Sequence, residues 1–271
     1  MNYSKSILLV ALVAFTSVAS AQLNSPLFSG FKLNSVNANF GPHGDHFSKM
    51  NLNFMESRVT DNTYERADIA DMQQADYISN TTGANLNLSA QFVRVAEAAP
   101  VSRYEAIETT FGLHFGREVM IDYYQNDPAT YCGFGELESC YSNLTYCDLS
   151  NEINVSAAYK RGVSFFNTLN IYTGLGASAG TTLASQLMIF GNRYIANSGG
   201  EEVYEYVDES YSMNESVTGR VYVPIGGELV VMKKLRLTAE TRLGVGYSHA
   251  IGSGGFSNLN YSALVGFGWT L

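Results

Sequence analysis

Past residue 22 this chain has no uninterrupted run of about 18 apolar residues, so no helix in that region could cross a bilayer. Proline is scarce (5 of 271 residues), which leaves few forced breaks in extended segments. Basic residues are outnumbered, 16 Lys and Arg against 25 Asp and Glu, for a formal net charge of −9. That balance argues against a nucleic-acid-binding surface, which needs a basic patch. Walker, dinucleotide-binding and zinc-protease motifs are all missing, so the common phosphate and metal chemistries have no signature here. Cysteine is limited to Cys132, Cys140 and Cys147. In an oxidising compartment two of them can form a loop disulfide, leaving one thiol over. A zinc site would need a fourth ligand, and none stands at the expected spacing.

The first residues carry an export signal. Lys5 supplies a positive n-region, Ile7 to Phe15 an apolar run too short for a comfortable membrane anchor, and Ala19-Ser20-Ala21 a small-residue cleavage site. The mature chain is expected to start at Gln22, and no cysteine follows the cleavage point to take a lipid.

Hydrophobic residues make up 46% of the chain, yet mean hydropathy is only −0.04. The apolar residues are interleaved with Asn, Ser, Thr and Gly, as in strands with one oily and one polar face. Tyr (18), Phe (15) and Gly (25) are abundant while Trp occurs once, a usage that suits strands joined by tight turns.

The last segment is the most informative. Tyr261, Ala263, Val265, Phe267, Trp269 and Leu271 alternate with Ser262, Leu264, Gly266, Gly268 and Thr270. In Leu235 to Ser248 the contrast is stronger: Leu237, Leu243, Val245 and Tyr247 share one face, and Arg236, Glu240 and Arg242 the other. Similar runs cover Ser216–Glu228, Asn167–Ala179, Leu149–Tyr159, Tyr104–Ile121 and Asn85–Phe92. An eighth is read at Ser48–Arg58, with residues 31–41 an alternative first strand and 42–46 a turn. Eight is an even number, as single-chain outer-membrane barrels require. The spacing predicts short connections near Glu97–Pro100, Arg161–Ser164 and Met232–Lys234, and long ones near residues 59–82, 122–146 and 185–212. Tight turns at one end and long loops at the other are the asymmetry of such barrels, and place both termini in the periplasm.

On these residues the chain resembles small bacterial outer-membrane barrels of the OmpA/OmpX-like type. The fold expected is all-β: an antiparallel up-and-down transmembrane β-barrel of eight strands, with ten as an alternative. The expected organisation is signal peptide 1–21, a lead-in or first-strand region 22–46, and barrel 47–271. The resemblance implies that the barrel-assembly machinery reads the terminal strand, through Phe267, Trp269 and Leu271. The chain departs from the usual pattern by ending on leucine rather than an aromatic residue.

Face assignment puts Glu108, Glu118, Glu152, Glu228 and Glu240 in the lumen with Lys160, Arg220, Arg236, Arg242 and His114. Eight strands leave an interior just wide enough for side chains, so these charges are expected to pair and close the bore. Other readings compete. His114 with Glu108 or Glu118 has the residue types of a general base and its orienter, and Ser248-His249 those of a hydrolase dyad. His43-Gly44-Asp45-His46 fits a metal cluster or, more simply, a turn. The acidic run Glu201–Glu209 fits a solvated loop, a Ca²⁺ or basic-partner site, or strands carried above the membrane. The reading adopted is a non-enzymatic structural, surface-interaction or accessory component of an outer-membrane assembly, with no cofactor and no metal. Its partners would be lipid, lipopolysaccharide, the assembly machinery and other outer-membrane proteins. A narrow pore and a lipid-modifying enzyme are the alternatives.

Overall fold

The computed structural model describes residues 30–46, 51–67, 69, 72–75, 79–80, 82–94, 99–125, 139–196, 202–232, 234–250 and 253–271. The expected signal peptide lies outside the described residues. The elements are β1 (Phe31–His46), α1 (Leu52–Ser57), β2 (Gln73–Gln74), β3 (Ser79–Asn80), β4 (Gly83–Arg94), β5 (Val101–Tyr124) and β6 (Ser139–Phe165). They continue with β7 (Leu169–Ala196), β8 (Glu202–Ser212), β9 (Ser216–Val231), β10 (Leu235–Ala250) and β11 (Gly254–Thr270).

Eight strands close a ring in the order β1, β4, β5, β6, β7, β9, β10, β11 and back to β1, every neighbour antiparallel. The join pairs Val36 with Trp269 and Ala38 with Phe267. Closure removes the sheet edges and satisfies the backbone of the ring, which is what lets strands enter hydrocarbon. The first described residue, Gly30, and the last, Leu271, lie at the end of the ring that carries the short turns. One of these turns is Phe166–Thr168, with Phe166 and Asn167 both at positive φ and Thr168 N–H donating to Phe165 O. Arg161–Ser164, expected as a connection, are instead paired residues of β6.

The first wall strand is Phe31–His46, and residues 52–57 form a helix, not the strand expected over Ser48–Arg58. The alternation Met50, Leu52, Phe54 suggested a strand, but Leu52 and Met55, three apart, are the side chains buried, and the Asn51 side chain accepts from Phe54 N–H. The barrel therefore begins inside the 22–46 region, and the residues after 46 connect β1 to β4.

The wall is inside-out. Phe40, Leu88, Ile171, Leu175, Val221, Ile225, Leu243, Val265, Phe267 and Trp269 are exposed, while Asn37, Glu108, Lys160, Arg220, Glu228 and Arg236 are buried. A water-soluble barrel would reverse this arrangement; an apolar exterior around a polar interior is the membrane-spanning form. Opposite small residues make the filling possible. A side chain at Gly176 would run into the Tyr222 ring, which occupies the space the glycine leaves.

The walls differ in height. Strands β1, β9 and β10 have 16 residues each, β7 has 28 and β6 has 27. The excess rises beyond the rim by roughly 30–40 Å of strand. There β8 pairs with β7, while β2 and β3 pair with β5. Much of the expected loops 122–146 and 185–212 is therefore sheet. From Glu202 on, the acidic run lies in the outer strand β8, whose charges suit a sheet margin that should not recruit further strands.

Candidate functional site

The bore and its lid are the features on which any function must act. Near the short-turn end Arg236 meets Glu228 at 2.8 Å, and Gln91, Tyr104 and Asn170 all donate to Glu228. Farther along, Lys160 lies 2.9 Å from Glu108 and 2.6 Å from Glu240, while Arg242 reaches the same two carboxylates at 3.2 and 2.6 Å. Tyr172 donates to Glu240, and Arg242 stacks over the Tyr222 ring at 5.1 Å. Toward the long-loop end Arg220 clasps Glu152 with two nitrogens (2.5 and 2.7 Å) and also reaches Asp45 at 3.0 Å. Arg117 approaches Asp45 and Glu152 at 3.6 and 3.9 Å. The His43 and His114 rings stack there, 3.9 Å between centroids.

In each tier the Lys and Arg side chains match the carboxylates in number: one with one, then two with two, then two with two. Such pairs are tolerable in a closed interior only because every charge has a partner within reach. Between the second and third tiers a space of about 30 Å³ is lined by His43, Asn85, Asn154, Arg220 and Asn260 among others, room for about one water.

The long-loop mouth is covered. Leu52 and Met55 of α1 pack with Val119, Ile121, Leu144, Tyr146, Leu187 and Ile189 on the inner face of the raised sheet. Phe54 meets Phe256 of the low wall edge-on at 4.5 Å, and Ser253 donates to Ser57 O, so the helix spans the opening. Beneath it Arg58, 1% exposed, pairs with Asp148 at 2.5 Å and donates to Asn214 O. Burial, together with the Glu56 carboxylate that accepts from its hydroxyl at 2.5 Å, pushes the Tyr64 phenol far above its ordinary range; burial also raises Tyr146. Both stay neutral, and the Tyr64 hydroxyl donates to Glu56. At the short-turn end the bore opens into a vestibule of about 440 Å³, lined by Lys32, Tyr104, Asn170 and Arg236 among others.

Glu108, Glu152, Lys160, Arg220, Glu228, Arg236, Glu240, Arg242 and His114 stand on the inner wall. Glu118 does not. A bulge between His114 and Arg117, with Gly116 at φ +66°, shifts the alternation by one, turning Arg117 inward and Glu118 outward. Asp45 and His43, read as metal ligands or a turn, point into the bore, while Gly44 lies under the Tyr261 ring and His46 takes the opposite face. No group of three or more metal-ligating side chains occurs among the described residues. Arg58 and Asp148 had no sequence signal, because each lay in or beside a presumed loop or weak strand.

The catalytic pairings do not assemble. His114 neighbours Glu152 and Asn154, while Glu108 is held by Lys160 and Arg242. Ser248 is buried inward, and His249, next in the strand, stacks on Tyr247 on the other face. Cys147 is a free buried thiol; Cys132 and the side chain of Cys140 lie outside the described residues. Phe267, Trp269 and Leu271 are all exposed on the outer face of the terminal segment.

No protein-family model and no curated protein matches the chain. Among solved structures it is similar to small outer-membrane barrels. Ail, the attachment invasion locus protein of Yersinia pestis, solved in complex with the heparin analogue sucrose octasulfate, is 9% identical, with a TM-score of 0.32 over 89% of this chain and 100% of that one. Neisserial surface protein A is 11% identical, with a TM-score of 0.30 over 90% and 100%. The outer membrane protein OprG of Pseudomonas aeruginosa is 8% identical, with a TM-score of 0.26 over 89% and 98%.

Proposed function

We propose that this chain is an integral outer-membrane barrel, closed to solutes, that acts through the sheet and lid above its long-loop rim. It would serve as a structural, surface-interaction or accessory component of an outer-membrane assembly and carry out no catalysis. The observation that supports this most directly is the filled bore: three ion-paired tiers and then an apolar lid. In this reading the short turns and both termini face the periplasm, and the raised sheet faces outward. Lipid and lipopolysaccharide pack on the apolar belt. The assembly machinery engages the strand that carries Phe267, Trp269 and Leu271.

A narrow solute path is the second reading, favoured by the open vestibule at the short-turn end. Recording in planar bilayers separates the two. The closed barrel gives no stable conductance step; reproducible single-channel steps from the purified chain overturn it.

A further inference from the structure

We infer that the outer wall near the short-turn rim carries a site for an anionic phospholipid headgroup, built by Arg94, Arg103 and Arg161 around Glu105. This rests on the membrane-spanning reading above.

Along β5, Tyr104 and Ala106 belong to the buried inner cluster, so Glu105 between them lies on the outer face. It is nevertheless only 3% exposed. Arg94 Nη1 lies 2.9 Å from one carboxylate oxygen, and Arg103 contacts the other. Arg161, exposed, is the direct cross-strand partner of Glu105 on β6, and directly opposed side chains sit within mutual reach. Two guanidinium groups thus hold the one carboxylate and a third, Arg161, stands at the adjoining cross-strand position, two positive charges in excess.

The surroundings are oily: Val101, Val163, Tyr159 and Ile171 are exposed on the same wall. Uncompensated charge against hydrocarbon is costly. The site lies four residues in from Val101, the start of β5, or about 13 Å along the strand, near headgroup depth. Phosphate is the anion available there, and guanidinium binds it through paired hydrogen bonds. The side chains of Arg94 and Arg103 stand at the rim, where they also border the mouth of the vestibule, and are 51% and 56% exposed, leaving donors free to turn outward. An anionic headgroup neutralises the excess, whereas a zwitterionic one brings its own cation. Farther along β5 the outer face turns acidic, with Glu118 and Asp122, so the preference belongs to the leaflet facing the short turns.

The test is native mass spectrometry of the full chain released from vesicles of phosphatidylglycerol and phosphatidylcholine in equal amounts, with flotation to read insertion. The inserted wild type should retain phosphatidylglycerol selectively. Arg161→Gln and Arg94→Gln should each weaken that retention about fivefold, the value of one basic side chain at an anionic surface. Glu105→Gln, which frees both partners, should strengthen it about fivefold. A merely structural cluster would lose stability in all three without this opposite sign. Equal retention of the two lipids by an inserted barrel, or unchanged retention in both Arg variants, overturns the site while leaving the membrane reading intact. A wild-type chain that does not float with vesicles overturns both.

Discussion

Replacing Lys160 with methionine tests the central physical claim, that the bore is dry enough for every charge to need its partner. Lys160 bridges Glu108 (2.9 Å) and Glu240 (2.6 Å), with its ammonium 4.7 Å over the Tyr172 ring. Methionine keeps the length and apolar stem but leaves Arg242 alone with two carboxylates, so the tier gains a net negative charge. Breaking a buried pair by removing one partner costs about 3–5 kcal/mol. The double variant Lys160→Met/Glu108→Gln restores neutrality with the Arg242–Glu240 contact intact, and should recover about 1–3 kcal/mol of that loss. The assay is urea unfolding in phospholipid vesicles with linear extrapolation. It is followed by the fluorescence of Trp269, the single tryptophan, which is exposed on the outer wall and would pass from lipid to water. A single variant within about 1 kcal/mol of wild type would refute the reasoning, as would a double variant no more stable than the single. Either result would mean that water screens the tier.

Two further perturbations address the lid and the raised sheet. Met55→Ala empties a fully buried position in the lid and should cost about 2–5 kcal/mol locally, seen as faster proteolysis after α1 while the ring stays intact; unchanged protection would deny the lid its apolar core. Burial, with help from Glu118 and Asp148, pushes the Cys147 thiol from an ordinary value near 9 up to about 12. The folded state therefore holds its proton where the unfolded chain releases it, so this group's stabilising contribution is full below pH 9 and falls as pH rises toward 12. In a Cys132→Ser/Cys140→Ser background, maleimide labelling at pH 8.5 should be far slower folded than in urea, and equal rates would contradict the burial.

Alternation carried most of the fold. A period of two in Leu235–Tyr247 and Tyr261–Leu271 can only be a strand with unlike faces, and repeating it eight times around a chain with few prolines leads to a closed ring. The same alternation placed Lys160, Arg220 and Glu240 on a common side, because side-chain direction along a strand is a local property. Where local order changed, the reading slipped. One glycine bulge exchanged Glu118 for Arg117, since a single extra residue reverses every later face. The segment offers both spacings over few residues, Leu52 and Phe54 two apart and Leu52 and Met55 three apart, and only the apolar floor offered by Ile121, Leu144 and Leu187 made the helix the better burial.

The sequence by itself determined the unlike faces, seven of the eight wall strands and most of the charges directed at the interior. The tertiary structure alone decided which charge meets which, that Asp45 joins Arg220 across 175 residues of chain, and that three walls continue upward to hold a lid. The reason is one of range. Facing depends on neighbours within a strand, whereas pairing and closure depend on the distances that appear only when the ring has shut.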